Sequence, residues 1–401
     1  MSYFINKFFH FKGYEVRKVN TSSSEYLVYL SSRRKTAMCP RCGKKSKTVF
    51  ANGGQRKVKH SRYEGRVVTI VFPKKRFTCQ HCKRPFSEKP DFVEARARTT
   101  SNFASEAVCA LSRSSFSTVC ESYQTSYSFL ARSLLKIKFD DPWPGGELRL
   151  GFDEHAYGKR HMMITVCDLK NHKLLAILPH YTKEVVIRYL ESRTEEEMSR
   201  VTELCFDMGF KQQRAVESFF PQAQTVIDKF HVLFYCANLI DADRRIICPG
   251  TGRYKYENLR QNMRKPDWKL TEKQREYLFK VFNDYPELKT RWDIYQSLGK
   301  FYSSRNKDEG RKRLKEIRDD IEKLEGRSYL KSFAGTLKRL EDEILNYFDN
   351  RTTNAYTEGV HTKIKMIKRT SYGFKNIDIY IKKMMLSFLP FLVISSLFLP
   401  H

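Results

Sequence analysis

Two short runs in this chain end in the same pair of residues. Asp153 closes an apolar run in "LRLGFDEHAYGKRH" (148–161), and Asp207 closes another in "VTELCFDM" (201–208). Both runs have strand composition, and side chains alternate along a strand, so each Asp lies on the face opposite its preceding Phe. The same alternation turns Glu154 away from Asp153 and leaves Glu154 and His155 as loop or supporting residues. If the runs are neighbouring strands that stop at their Asp residues, Asp153 and Asp207 meet at the carboxyl end of a sheet. Two adjacent carboxylates repel and stay ionised together only around a cation, and Mg²⁺ prefers such oxygen ligands. Two solvated strand ends are the alternative, and the residues alone leave both open.

Cysteines supply a second kind of chemistry. "CPRCGKK" carries Cys39 and Cys42, and "TCQHCKRPF" carries Cys79 and Cys82, with 36 residues between the pairs. Each Cys-x-x-Cys can form a tight knuckle, and Gly43 follows the first where a positive φ is often required. Four thiolates complete a tetrahedral structural Zn²⁺ site with no open position for catalysis. His60 and His81 are then superfluous as ligands, and the remaining cysteines read as small core residues.

These groups need elements to hold them. "SEYLVYL" (24–30) and "GRVVTIVFP" (65–73) read as strands of a zinc ribbon within residues 1–98. Residues 99–140 turn helical: Phe103, Ala107, Val108 and Leu111 share a face after a Ser101/Asn102 cap. Two short helices follow with a break near 122–125, as in a helix-turn-helix, and the second offers Tyr127 and Arg132 to a DNA groove. A plain three-helix packing unit fits the same pattern. "DDPWPGG" (140–146) marks a boundary. Three antiparallel strands then precede alternating helix and strand, which predicts a mixed sheet in an α/β domain over 147–238. Residues 239–349 are helical in pattern, and the chain ends in an apolar helix.

Charge narrows the partners. The formal net charge is +29, and residues 1–98 hold 24 Lys/Arg against 6 Asp/Glu. Such an excess self-repels without a polyanion, and nucleic acid is the first candidate. The N-terminal run carries charges that do not suit a secretory signal. The apolar tail "MMLSFLPFLVISSLFLP" reads as a buried helix broken at Pro390 rather than a membrane anchor.

"GFDEHAYGKRH", "FDMGF", "VIDKFHV" and "NAYTEGVHTKIKMIKRTSYGFKN" (354–376) together resemble the DDE transposases of bacterial insertion sequences, most closely the ISL-three family. The resemblance runs through nearly the whole chain. It implies an α/β ribonuclease H-like catalytic domain with an α-helical insertion at 239–349, preceded by an N-terminal zinc ribbon and helix-turn-helix; residues 350–401 would be the last part of the catalytic domain, carrying its third acid, and a C-terminal helix. It implies that Asp153, Asp207 and Glu358 are the catalytic acids, holding two Mg²⁺ (or Mn²⁺) ions. The family's Asp-x-x-His element matches Asp228 and His231, as support for the site, and Asn354 occupies the polar position four residues before the Glu. Three residues after the Glu, where the family commonly has Asn, this chain has His361. Glu358 opens a basic helix on which Lys363, Lys365, Lys368 and Arg369 are candidate phosphate contacts, a solvated face being the alternative. Trp268 and Trp292 in the insertion are core residues or, as in similar enzymes, a platform for a flipped base.

The function so implied is Mg²⁺-dependent cleavage at terminal inverted repeats and strand transfer into target DNA. The chain would act as a homodimer or larger assembly on double-stranded DNA, in the bacterial cytoplasm at the nucleoid and away from any membrane. The alternative is a catalytically inactive DNA-binding regulator derived from a transposase.

Overall fold

The computed structural model describes residues 11–139, 143–249, 258–390 and 393–394. The first ten residues, positions 140–142 of the linker and most of the tail beyond Pro390 lie outside them. The chain forms two compact units, residues 1–140 with 364–401, and residues 141–363.

The first unit begins with seven strands: β1 (Tyr14–Thr21), β2 (Glu25–Ser32), β3 (Ala37–Met38), β4 (Lys45–Ser46), β5 (Val49–Tyr63), β6 (Arg66–Thr78) and β7 (Pro85–Ser87). Four of them pair in the order β1-β2-β6-β5, with β7 on the far end of β6 and β3-β4 as a separate hairpin. The expected strand at 65–73 is therefore longer than its apolar run. β6 is buried continuously from Val67 to Phe72 because both of its faces are covered. Val68, Ile70 and Phe72 pack with Tyr14, Val28 and Val58, while Val67 joins a helical cluster on the opposite side.

That cluster belongs to three helices, α1 (Ser101–Leu111), α2 (Phe116–Ser122) and α3 (Tyr127–Leu135). Thr100, Ser115 and Ser126 cap them, each side chain accepting the N–H three residues on. The cap of α1 is thus Thr100, one residue earlier than the sequence suggests. Residues 123–126 make the short turn between α2 and α3, with Gln124 in the left-handed region at φ 47°. The C-terminal helix (Ile377–Phe388) completes this layer, burying Ile379 and Leu386 in the same core. Lys383, only 2% exposed, donates to Leu111 O at the end of α1 and to Ser387 Oγ at 3.0 Å. Lys382 donates to Leu135 O at 2.8 Å, at the end of α3. Two ammonium groups therefore sit on the unpaired carbonyls of two helix C-termini, where positive charge is favoured. This placement differs from the expectation for 350–401: its last part packs with the helices of 101–135, since its apolar face matches that core.

The second unit holds a five-stranded sheet of β8 (Leu148–Gly158), β9 (His161–Asp168), β10 (Lys173–Leu178), β11 (Val201–Phe206) and β12 (Gln224–Ile227). Its order is β10-β9-β8-β11-β12. β8, β9 and β10 form an antiparallel meander, and β11 and β12 run parallel to β8. Helices α4 (Lys183–Glu191), α5 (Glu195–Ser199) and α6 (Gln213–Glu217) connect the strands. Val186, Leu190, Val216 and Phe220 pack there with Phe152, Leu204 and Phe206 from the sheet.

Helix α7 (Lys229–Ile247) leaves β12 directly and leads into further helices at Leu259–Met263, Glu272–Asp284, Pro286–Phe301, Lys307–Glu322, Leu330–Arg339, Glu341–Leu345 and Tyr347–Asn350. Their core is continuous with Val226 and Ile227 of β12, so the helical insertion is built onto the sheet edge. Buried Asp243 braces it, accepting from Arg291 Nε at 3.2 Å and from Tyr329 N at 2.7 Å. Trp292 is core, 8% exposed and 5.5 Å from the Phe282 ring, whereas Trp268 is 76% exposed. No described helix is long and apolar enough to cross a membrane.

Candidate active site and zinc centre

β8 does not stop at its acids. It continues to Gly158, and Asp153 pairs in register with Thr165 of β9. The expectation of a strand ending in a loop fails because the β9 partner carries the ladder past the polar residues. Of the two places expected for His155, a loop or a supporting position, the strand excludes the loop, and the residue is buried at 4% exposure.

The parallel register explains the repeated Phe-Asp. Leu204 lies opposite Leu150 and Cys205 opposite Gly151, so the next positions put Phe206 beside Phe152 and Asp207 beside Asp153. The two Phe rings stack at 5.6 Å on one face. The two Asp side chains belong to the other. On β12, Ile227 pairs with Phe206, and Asp228 N continues the ladder to Phe206 O at 2.9 Å. Three parallel strands therefore deliver Asp153, Asp207 and Asp228 at one level.

Each acid meets a different environment. Asp153 is 8% exposed, and burial pushes its carboxyl up to about 6, with Asp207 and Glu154 adding to the rise. The Glu154 N–H at 2.7 Å and the His231 ring oppose that shift. Asp207 is more open, with a side chain 33% exposed. Asp228 is fully buried and caps α7; its Oδ2 accepts from His231 Nδ1 at 3.0 Å. His231 Nε2 lies 3.6 Å from Asp207 Oδ2. Burial alone would lower the His231 pKa, but the Asp228 hydrogen bond and the surrounding carboxylates outweigh it and raise it to about 9. Glu154 is half-buried and turned towards the Tyr181 phenol.

The segment before Glu358 lies along the acid-bearing face. Arg149, Gly151 and Asp153 share that face of β8; Glu203, Cys205 and Asp207 share it on β11. Glu203, 1% exposed, accepts from Thr352 Oγ1 and Asn350 Nδ2, and Arg149 NH2 donates to Asn350 Oδ1 at 3.0 Å. Further along, Asn354 N donates to Asp228 Oδ1 at 2.9 Å and Asn354 Nδ2 to Phe152 O at 3.3 Å. The close approach needs Gly151, where a Cβ would fall 2.3 Å from Asn354 Oδ1.

The helix that follows (Ala355–Thr370) carries Glu358 and His361. His361 Nδ1 stands 3.6 Å from Asp153 Oδ2, and its Nε2 shares the Thr165 hydroxyl, at 2.9 Å, with His155 Nδ1 at 2.8 Å. Positions 354, 358 and 361 fall on one helical face. Glu358 thus sits between a residue bonded to Phe152 and a residue beside Asp153, and it is exposed. The three acids do not close into a ligand cluster. Among the described residues, only Cys39, Cys42, Cys79 and Cys82 bring three or more candidate ligand atoms within 4.8 Å of one another.

Those cysteines form a site suited to a structural Zn²⁺. The two knuckles have the same backbone plan: Gly43 N donates to Cys39 O at 2.9 Å, and Lys83 N to Cys79 O at 2.8 Å. Both turn residues are left-handed, Gly43 at φ 69° and Lys83 at φ 55°. The Cys82 and His81 N–H groups hold the Cys79 thiol down to about 7, whereas the neighbouring Cys42 and Cys79 thiols push Cys82 up to about 12, a crowding that a bound cation relieves.

Of the expected DNA contacts, Tyr127 is 48% exposed on α3, with its ring 4.8 Å from that of Phe116. Arg132 is exposed and donates to Ser128 O at 3.1 Å. Lys365 and Arg369 are exposed one turn apart, while Lys363 and Lys368 are half-exposed. The supporting residues that sequence reasoning missed are Glu203, Thr165 and Gly151. Glu203 left one trace, a lone acid inside an apolar strand on the same face as Asp207.

The chain is also similar to known proteins. Residues 35–82 match the zinc finger of the IS204/IS1001/IS1096/IS1165 transposases. Over 94% of its length the chain is 23% identical to the transposase for insertion sequence element IS1001 of Bordetella parapertussis, covering 96% of that protein. It is 22% identical to the transposase for insertion sequence element IS1557 of Mycobacterium tuberculosis over 57% of each chain. Residues 150–384 match the ISL-three DDE family, described as a transposase, and the chain belongs to that family of insertion-sequence transposases.

Proposed function

We propose that the protein cuts and joins DNA at the ends of its own insertion sequence, with Asp153, Asp207 and Glu358 as the catalytic acids. The observation that carries this is the meeting of three segments distant in sequence. Parallel register brings Asp153 beside Asp207, and the Glu358 helix is tied to the same strand on both sides of Glu358. The antiparallel meander followed by two parallel strands, in the order β10-β9-β8-β11-β12, supports a ribonuclease H-like catalytic fold.

The donor set fits hard divalent cations. Asp153 and Asp207 offer carboxylate oxygens, and burial beside other acids pushes Asp153 towards its neutral form, an effect that a cation between them reverses. Two Mg²⁺ (or Mn²⁺) ions bound by Asp153, Asp207 and Glu358 would supply an activated water for nicking and stabilise the departing 3′ oxygen. His231, held by Asp228, orients Asp207 and balances its charge. His361, held by Thr165, positions Asp153 from the other side. No nucleophilic Ser or Tyr is required.

The zinc ribbon and the helix-turn-helix of α2 and α3 bind the terminal inverted repeats, with Tyr127 and Arg132 on the second helix. Lys365 and Arg369, with Lys363 and Lys368, serve as phosphate contacts. Pairing two transposon ends calls for at least a dimer, working at the nucleoid in the bacterial cytoplasm.

The test is cleavage of labelled DNA carrying the element's ends, with Mg²⁺, by the wild type and by Asp153→Asn. The variant should lose about 10³-fold or more of the rate while retaining end binding, because it removes several kcal/mol of metal-held charge stabilisation. Undiminished cleavage by Asp153→Asn would refute the assignment. A wild type that binds ends but never cuts would be a regulator instead.

A further inference from the structure

A cleft in the first unit adjoins Arg132, and its other cations take no part in the sites described above. It measures about 950 Å³ and lies between the segment Arg96–Thr99 and helix α3. Lys59, Arg96, Arg98, Arg132 and Lys136 line it, and no Asp or Glu does. Asp91 and Glu94 line a separate, adjoining cleft. Arg96, Arg98, Arg132 and Lys136 are exposed, and none of them has a carboxylate partner among the described residues.

The walls are braced against each other. Lys59 N donates to Arg98 O at 3.0 Å and Thr100 N to Lys59 O at 2.9 Å, so residues 98–100 lie as a short parallel addition to β5. Arg56 holds the same segment through Glu94 O at 3.0 Å and Ala97 O. The Lys59 ammonium crosses to Gln124 O in the turn before α3, and Gln124 Nε2 reaches Ser24 O at 3.3 Å. The ribbon sheet, the linking segment and the helix pair thus form one wall. Arg96 stands on it in the left-handed region, at φ 64°.

We infer that this cleft grips the sugar-phosphate backbone of double-stranded DNA through Arg96, Arg98 and Lys136, independently of base sequence. The inference rests on the reading of the protein as an end-binding transposase and adds where the charge contacts are made. Guanidinium forks match phosphate oxygens two at a time, and fixed walls spare the entropy of ordering them. Phe129, the one aromatic lining residue, is half-buried in the helical core, so the cleft lacks the stacking platform that single strands use.

The experiment uses the full-length, zinc-loaded chain and two fluorescent duplexes, one copied from DNA flanking the gene and one of shuffled sequence. Binding is measured between about 50 and 200 mM salt. Arg96→Ala/Arg98→Ala/Lys136→Ala should weaken both duplexes alike, on the order of tenfold to a hundredfold, and flatten the slope of log K against log salt by about 2–3. Zinc content and melting temperature should stay unchanged; if the triple variant unfolds, Arg96→Ala and Lys136→Ala singly should each flatten the slope by about 1. A control removes three exposed cations elsewhere, Lys312→Ala/Lys315→Ala/Lys338→Ala. An unchanged slope, an equal loss from the control, or a loss confined to the flanking duplex overturns the cleft assignment alone. Failure of the wild type to bind either duplex overturns the end-binding reading as well.

Discussion

The zinc centre and the acid site solve the same problem, holding like charges close, in opposite ways. The zinc ligands come from two knuckles, each closed by backbone hydrogen bonds within five residues, and their sulfur atoms already lie within 4.8 Å. The acids come from three segments spread over two hundred residues, with His231 3.6 Å from Asp207 and His361 3.6 Å from Asp153. A site built from local turns is closed by its metal alone. A site built across a sheet depends on everything that sets the register and the path of the third segment. Damage to the first should therefore unfold a region, whereas damage to the second should change geometry first.

Zinc removal should produce the largest effect. A structural Zn²⁺ site contributes on the order of 10 kcal/mol of apparent folding free energy. Cys79→Ser or strong chelation should abolish DNA binding and open the head to protease, while a fragment spanning the sheet of 148–227 resists. Equal digestion of both regions would erase the contrast between the two sites.

Gly151→Ala comes next. Its Cβ would fall 2.3 Å from Asn354 Oδ1 and 2.8 Å from Leu169 Cδ2, so overpacking should destabilise by about 1–3 kcal/mol. Because Asn354 leads directly into the Glu358 helix, cleavage should fall further than urea unfolding alone accounts for. A variant with normal cleavage and reduced stability would detach this glycine from the site.

His361→Asn should be milder. It loses the contact with Asp153 and one of two hydrogen bonds to Thr165, at about 1–2 kcal/mol in unfolding by denaturant. The Mg²⁺ concentration for half-maximal cleavage should shift, since the neighbour of Asp153 has changed; an identical metal titration would show His361 to be packing alone.

The smallest effect tests the pseudo-symmetry of the knuckles. Lys83 occupies the left-handed position that Gly43 fills in the other. Lys83→Gly should stabilise the head by about 0.5–1 kcal/mol, read as a small rise in melting temperature. A fall would mean that the Lys83 side chain holds something its backbone does not reveal.

Legibility followed the range of each interaction. The Cys-x-x-Cys pairs could be read because knuckle geometry depends on a few successive residues. The Phe-Asp repeat could be read because strand alternation is equally local. The extent of β8 could not, since its continuation past Asp153 comes from pairing with β9. β5 escaped for a related reason: "KVKHSRY" looks polar, and it is a strand because apolar β6 lies beside it. Glu358 was legible only through its resemblance to a family, as no local pattern distinguishes it from other helical glutamates.

Residue order alone therefore settled the thiol ligands and the basic head, and it set two carboxylates in one repeated motif, because each is written within a few positions. Tertiary structure alone decided that Asp153 and Asp207 are neighbours, that Gly151 leaves room for Asn354, and that the C-terminal helix caps α1 and α3. Those facts depend on register and on contacts across long loops, where the energy lies in burial and paired polar groups contributed by segments that never meet in the sequence.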